Sequence, residues 1–250
     1  MIAAARACLH LLWMLITVIP VALYLMLSAV MGASGPRLYR LARFWLWLSI
    51  AGAKTILGIR YRVEGQDNLP ADDQPAVLLV KHQSTYETFL MPVIMPRDLA
   101  YVFKKELLYV PFFGWAIGKL DMIHIDRSLR KQAFHKVAQQ GRALLNQGIW
   151  VIMFPEGTRI ARGQAGQYKS GGTRLAIDAG VPVVPIAVNS GVCWPRKAFI
   201  KRPGLVTVSI GKPIESTGRD PDELMAEVQQ WIESEMRRLD PEAYLGQNAP

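Results

Sequence analysis

From Leu11 to Met31 the chain carries no charged residue. A helix of about 20 apolar residues is long enough to cross the hydrocarbon core of a bilayer, so this run must be sheltered by lipid or by protein. Pro20 kinks such a helix without forbidding it. A cleaved signal peptide would also carry a cation such as Arg6 before the run and small residues such as Ala29, Gly32 and Ala33 after it. Its apolar core, however, runs only about 7–15 residues. A second stretch, Leu41 to Ile59, mixes Trp45, Trp47 and leucines with Arg43 and Lys54, which suits a helix lying in the bilayer interface. Residues 1–62 therefore read as N-terminal membrane-embedded or interfacial helices, with bilayer phospholipid as a partner. Arg37, Arg40 and Arg43 follow the first run against only Arg6 before it, which places the remainder on the cytoplasmic face of a bacterial-type inner membrane. Arg60 and Arg62 argue against export after the second stretch.

Residues 63–250 change character. Short apolar runs bounded by Gly, Pro or charge alternate with helical stretches, the pattern of an α/β domain with a mixed, largely buried sheet flanked by helices. The expected strands are Ala76 to Val80, Ala100 to Phe103, Met122 to Ile125, Ile149 to Phe154, Val183 to Val188 and Leu205 to Ile210. Helices are expected over Leu129 to Asn146, closed by Gly148, and over Asp222 to Leu239, opened by Pro221. Leu224, Val228, Trp231 and Ile232 form one apolar stripe on the latter, a packing face.

The net charge of +9 suits nucleic acid, anionic lipid or a phosphorylated substrate alike. No nucleic-acid motif or aromatic and basic interleaving accompanies it, so nucleic acid is not expected as a partner. Cys8 and Cys193 stand in unrelated contexts and imply no disulfide framework, and no zinc-ligand spacing emerges.

Two motifs follow strands, where α/β proteins place their chemistry. The first runs Lys81-His82-Gln83-Ser84-Thr85-Tyr86-Glu87. A histidine here can act as a general base, with a carboxylate fixing its tautomer. In a continuous helix two residues five apart point about 140° from one another, so the pair meets only if His82 lies in the loop and Glu87 in the first helical turn. Ser84-x-x-Glu87 is equally a capping box, in which Ser84 caps the helix. The second motif is Phe154-Pro155-Glu156-Gly157-Thr158-Arg159. Arg159 offers a planar fork for a phosphate, backbone amides near Gly157 could assist, and Glu156 could hold the arginine or accept from substrate hydroxyls. An ordinary turn with a surface ion pair would look the same in isolation.

Taken in order with Lys104-Lys105-Glu106-Leu107 through Pro111, Gly114 and Gly118 to Ile125-Asp126-Arg127, and with Val181-Pro182-Val183-Val184-Pro185-Ile186, these blocks resemble the glycerolipid acyltransferases typified by 1-acylglycerol-3-phosphate acyltransferase. The resemblance covers residues from about 60 to 215. It implies transfer of a fatty acyl group from an acyl-CoA or acyl carrier protein thioester, with no other cofactor, to the sn-2 hydroxyl of lysophosphatidic acid. His82 and Glu87 would be catalytic, and Glu156, Gly157, Thr158, Arg159, Lys105 and Arg127 would bind the substrate phosphate. The family usually has Asp where this chain has Glu87, one methylene or about 1.5 Å longer, and many relatives have a small polar residue where it has Ile160. An acyltransferase for another lysolipid, and a noncatalytic lipid-binding protein of the same fold, remain the competing readings.

Overall fold

The computed structural model describes residues 1–71, 74–125 and 130–245. An apolar hairpin comes first, α1 (Ile2–Val30) against α2 (Gly35–Gly52), and a π-helical turn, Ala53–Leu57, continues α2. The first helix starts nine residues before Leu11, and its apolar side chains include Leu12, Leu15, Ile16, Leu23 and Leu27, all exposed. Protein flanks it along most of its length. His10 meets Trp194 edge-on at 5.5 Å, Trp13 donates to the Leu48 carbonyl, and Val18, Val21 and Leu25 face α4 (Phe113–Ile117).

Among the described residues seven strands form one mixed sheet in the order β1-β7-β6-β2-β5-β3-β4. They are β1 (Ile59–Glu64), β2 (Val77–Val80), β3 (Leu99–Lys104), β4 (Ile123–Ile125), β5 (Trp150–Met153), β6 (Val183–Val188) and β7 (Gly204–Ile210). Only β6 and β7 pair antiparallel. Strand β2 lies in the middle, with Val77 opposite both Val151 and Val183, and all four of its residues are fully buried. A strand covered on both faces reads as an unbroken apolar run, which is why Val77-Leu78-Leu79-Val80 shows no alternation.

Alternation still sorts its side chains. Leu78 and Val80 join the core under α2 and α3 (Tyr86–Ile94), and Val77 and Leu79 join the core under α5 (Arg130–Leu145), α6 (Gly171–Ala179) and α7 (Pro221–Leu239). The last helix is secured by Asp220, whose carboxylate accepts from the amides of Asp222 and Glu223, a cap worth about 1 kcal/mol. Its Leu224, Val228 and Ile232 are fully buried, at about 1.5–3 kcal/mol each. Trp231 sits at the margin of that core, where it closes over Gly211.

The mixed sheet flanked by helices is the expected architecture. The six expected strands form with ends shifted by at most one residue, and both expected helices form. The sequence reading omits β1, which runs through the expected boundary between residues 62 and 63 and pairs with β7 from Ile59 opposite Gly204.

Candidate active site

Strands β2, β3, β4 and β5 are mutually parallel, so their C-terminal ends share one edge of the sheet. His82 follows β2, Lys105 follows β3, and the Phe154 to Arg159 turn follows β5. Arg127, beyond β4, lies outside the described residues.

His82 lies in the loop and Glu87 is the second residue of α3, the arrangement that the five-residue spacing requires. His82 Nδ1 is 2.9 Å from Glu87 Oε1. An ionised carboxylate only accepts, so Nδ1 carries the proton and Nε2 is the bare nitrogen of the neutral ring. Among the described residues Nε2 has no hydrogen-bond partner. The ring stacks on Phe154 at 3.9 Å and 15°, and the side chain is 13% exposed.

Glu87 is fully buried and receives five donors. His82 Nδ1 and the amides of Gln83 and Ser84 reach Oε1, while the hydroxyls of Ser84 and Ser190 reach Oε2 at 2.8 and 2.6 Å. Burial acts to raise its pKa, but the His82 ring, the Ser190 hydroxyl and the Ser84 amide outweigh it, and the carboxyl is held below its ordinary value. The capping and pairing readings both hold, since Glu87 accepts from the Ser84 amide and also orients the imidazole. Ser84 Oγ accepts from the Tyr86 amide and so caps α3.

The second motif grips the first through its backbone. Gly157 turns with φ +65°, a conformation that favours glycine. The Ile160 amide then donates to the His82 carbonyl at 2.7 Å, and the His82 amide donates to Glu156 Oε2 at 2.8 Å. Sequence reasoning missed the group that holds Glu156. Lys81 continues the alternation of β2 onto the Val77 and Leu79 face, where α7 lies. Its fully buried ammonium contacts Glu156 Oε1 and Glu233 Oε1, both at 2.6 Å, and the Gln164 carbonyl at 3.1 Å. The Tyr168 hydroxyl donates to the same Glu233 oxygen. Burial raises the Glu156 pKa, against the opposing pull of Lys81 and the His82 amide.

Both oxygens of Glu156 are therefore turned inward, one to Lys81 and one to the His82 amide, and neither contacts Arg159. Thr158 is exposed and Arg159 half-buried, and Arg159 has no ion pair among the described residues. A Cβ on Gly157 would lie 3.3 Å from Lys169 Nζ, which brings a second cation to this turn. Lys105 opens a 3₁₀ turn, Lys105–Tyr109, and is half-buried. Ser190, just beyond β6, was not foreseen either, since a serine after a strand carries no signal of its own.

An apolar cavity of about 130 Å³ lies between the helical hairpin and this edge of the sheet. Leu25, Trp45, Phe89 and Phe113 line it, together with Thr88, the residue after Glu87, and Tyr101, whose ring is 6.1 Å from Phe154.

The family profile described as "Acyltransferase" matches residues 60–189. The 1-acyl-sn-glycerol-3-phosphate acyltransferase of Pseudomonas aeruginosa is 45% identical over 202 residues, covering 80% of this chain and 76% of the relative. The alpha enzyme of that name from Mus musculus is 32% identical over 183 residues, 72% of this chain and 64% of its own length. The crystal structure of the LPA acyltransferase PlsC from Thermotoga maritima shares the fold, with a TM-score of 0.75 at 21% identity over 94% of this chain and 97% of that one. The profile spans both strand-end motifs, and the chain belongs to the glycerolipid acyltransferase family, alongside the 1-acyl-sn-glycerol-3-phosphate acyltransferases.

Proposed function

We propose that this acyltransferase moves a fatty acyl group from a coenzyme A or acyl carrier protein thioester to the sn-2 hydroxyl of lysophosphatidic acid, giving phosphatidic acid. The observation that carries the reading is the imidazole of His82. Its Nδ1 is fixed by a buried carboxylate, and its Nε2, without a hydrogen-bond partner among the described residues, lies at the sheet edge that also bears Arg159. Nε2 removes the acceptor's hydroxyl proton as the oxygen attacks the thioester carbonyl carbon. A carbon–oxygen bond forms, the carbon–sulfur bond breaks, and the proton passes from Nε2 to the departing thiolate. Glu87 stabilises the imidazolium formed between these steps. No acyl-enzyme is involved, so Ser84 and both cysteines take no part.

Arg159, which has no ion pair among the described residues, binds the acceptor's phosphate with Thr158, while Gly157 shapes the turn that presents them and Lys105 and Arg127 add positive charge. Glu156 serves this site from beneath, by holding the backbone of His82. The apolar cavity beside Thr88 and Tyr101 takes an acyl chain. The hairpin seats the enzyme on the membrane, with the catalytic domain on the cytoplasmic side. Its first helix is flanked by the domain at His10 and again at Leu25, about 22 Å further along at 1.5 Å per residue. A helix so accompanied enters the bilayer from one face rather than crossing alone.

The test is acyl transfer by the purified full chain in detergent micelles, comparing lysophosphatidic acid with other lysolipids and acyl-CoA with acyl carrier protein donors. His82→Ala, checked for retained fold, serves as the blank. The reading expects phosphatidic acid from the unmodified chain alone, and failure of every acceptor with both donors would overturn it.

A further inference from the structure

The segment between the 3₁₀ turn Ser190–Val192 and β7 holds Arg196, Lys197, Lys201 and Arg202 and no acidic residue. Among the described residues none of these four cations pairs with a carboxylate. Two large apolar side chains stand between them in the open, Phe199 at 49% and Ile200 at 40% exposure. The Lys201 ammonium lies 4.9 Å from the Trp194 ring and 5.4 Å from that of Phe199, and it donates to the Phe199 carbonyl at 2.8 Å. Trp194 in turn packs on His10, so the loop borders the exposed apolar face of α1. Further cations stand at the same end of the hairpin. Lys54 is exposed on the π-helical turn, and Arg60 is exposed opposite Leu205 in the pairing of β1 with β7.

Unpaired cations around exposed aromatic and aliphatic groups, at the rim of an apolar helix face, match the chemistry of a bilayer interface. Apolar groups enter the acyl boundary there, and Lys and Arg reach the headgroup phosphates. We infer that loop 195–203 is a second lipid contact of this protein, with Phe199 and Ile200 in the interface and Arg196, Lys197, Lys201 and Arg202 on anionic phospholipid headgroups. The inference rests on the membrane-seated reading above. An acidic carrier protein is the competing occupant, but it would have to share the rim of α1 with the bilayer.

The experiment uses the full chain with Cys8→Ser and an environment-sensitive fluorophore attached through Ile200→Cys. Matching samples carry it through Leu12→Cys on α1 or Gln230→Cys on α7. Each is reconstituted into phosphatidylcholine vesicles with or without phosphatidylglycerol, using brominated lipid as quencher. The expected result is quenching at positions 12 and 200 and none at 230, with quenching at 200 stronger when phosphatidylglycerol is present. Replacing the four loop cations by Gln should abolish that dependence at 200 and leave position 12 unchanged. Position 200 behaving like 230 while 12 is quenched would overturn the inference alone, as would a response at 200 only to added acyl carrier protein. No quenching at position 12 would overturn the membrane-seated reading and this inference with it.

Discussion

The His82 amide donates to Glu156 at 2.8 Å, so the carboxylate of the second motif holds the backbone of the histidine in the first. Lys81, the neighbour of that histidine, neutralises the same carboxylate from the opposite side of the strand. Removing Lys81 would leave Glu156 and Glu233 facing one another in a buried site. Lys81→Met is expected to lower stability by about 3–5 kcal/mol, the usual cost of stranding a buried charge. Thermal unfolding of the purified protein in detergent measures it. If Lys81→Met with Glu233→Gln is no more stable than Lys81→Met alone, charge repulsion is not the cause.

Ser190 donates to Glu87 at 2.6 Å without approaching the reacting atoms itself, and so acts as a positioning residue. A hydrogen bond to a charged group is worth about 1.5–3 kcal/mol. Ser190→Ala is expected to lower kcat about ten-fold or more while leaving KM for the acceptor unchanged, with partial rescue by Ser190→Thr. His82→Ala, by contrast, should lower kcat about 10²-fold to 10⁴-fold, the usual contribution of a general base.

Glu87 meets the imidazole with one oxygen and Ser190 with the other, and an aspartate at this position is about 1.5 Å shorter. It cannot hold both partners unless the backbone moves. Glu87→Asp is therefore expected to be slower than the native chain, and equal steady-state rates would show that the loop adjusts freely.

Glu87 also gives stability an acid limb. Burial alone would raise its pKa, but the His82 ring and the donors around it hold the folded carboxyl below its ordinary 4.5. A depressed carboxyl contributes stability in full above the unfolded value and loses it as the pH falls through the folded one. Glu87→Gln should be less stable than the native chain at neutral pH, and the gap should narrow as the pH drops below 4.5. Denaturant unfolding across that range checks the sign.

Arg159 has no ion pair among the described residues, so its loss should spare the fold. Arg159→Ala is expected to raise KM for lysophosphatidic acid about ten-fold or more with a smaller effect on kcat. Arg159→Lys should restore only part of the loss, because a point charge cannot engage a phosphate with two parallel bonds. An unchanged KM would remove Arg159 from the phosphate site.

What was legible in the sequence follows from distance along the chain. His82 and Glu87 lie five residues apart, and loop and helix geometry alone can bring them together. The partners that complete the site are 103 residues away in Ser190 and 152 residues from Lys81 in Glu233, positioned by sheet order and helix packing that no local pattern encodes. The Glu156 contacts were hidden for the same reason, since its carboxylate answers to Lys81 and the His82 amide and not to its neighbour Arg159. Strand β1 escaped notice because Arg60, Tyr61 and Arg62 are all exposed on an edge strand, and only Ile59 is fully buried. The core strands were legible because burial on both faces demands apolar runs of that length.

The central place of β2 also sets an order of assembly. Both of its neighbours, β5 and β6, come later in the chain, as does the helix that supplies Glu233. On the ribosome the apolar hairpin emerges before His82, which in turn precedes the strands that will flank β2, the carboxylate that will grip its amide and the hydroxyl of Ser190. On the proposed reading, lipid receives the hairpin well before His82 has its full set of partners, and the site is complete only once α7 has supplied Glu233.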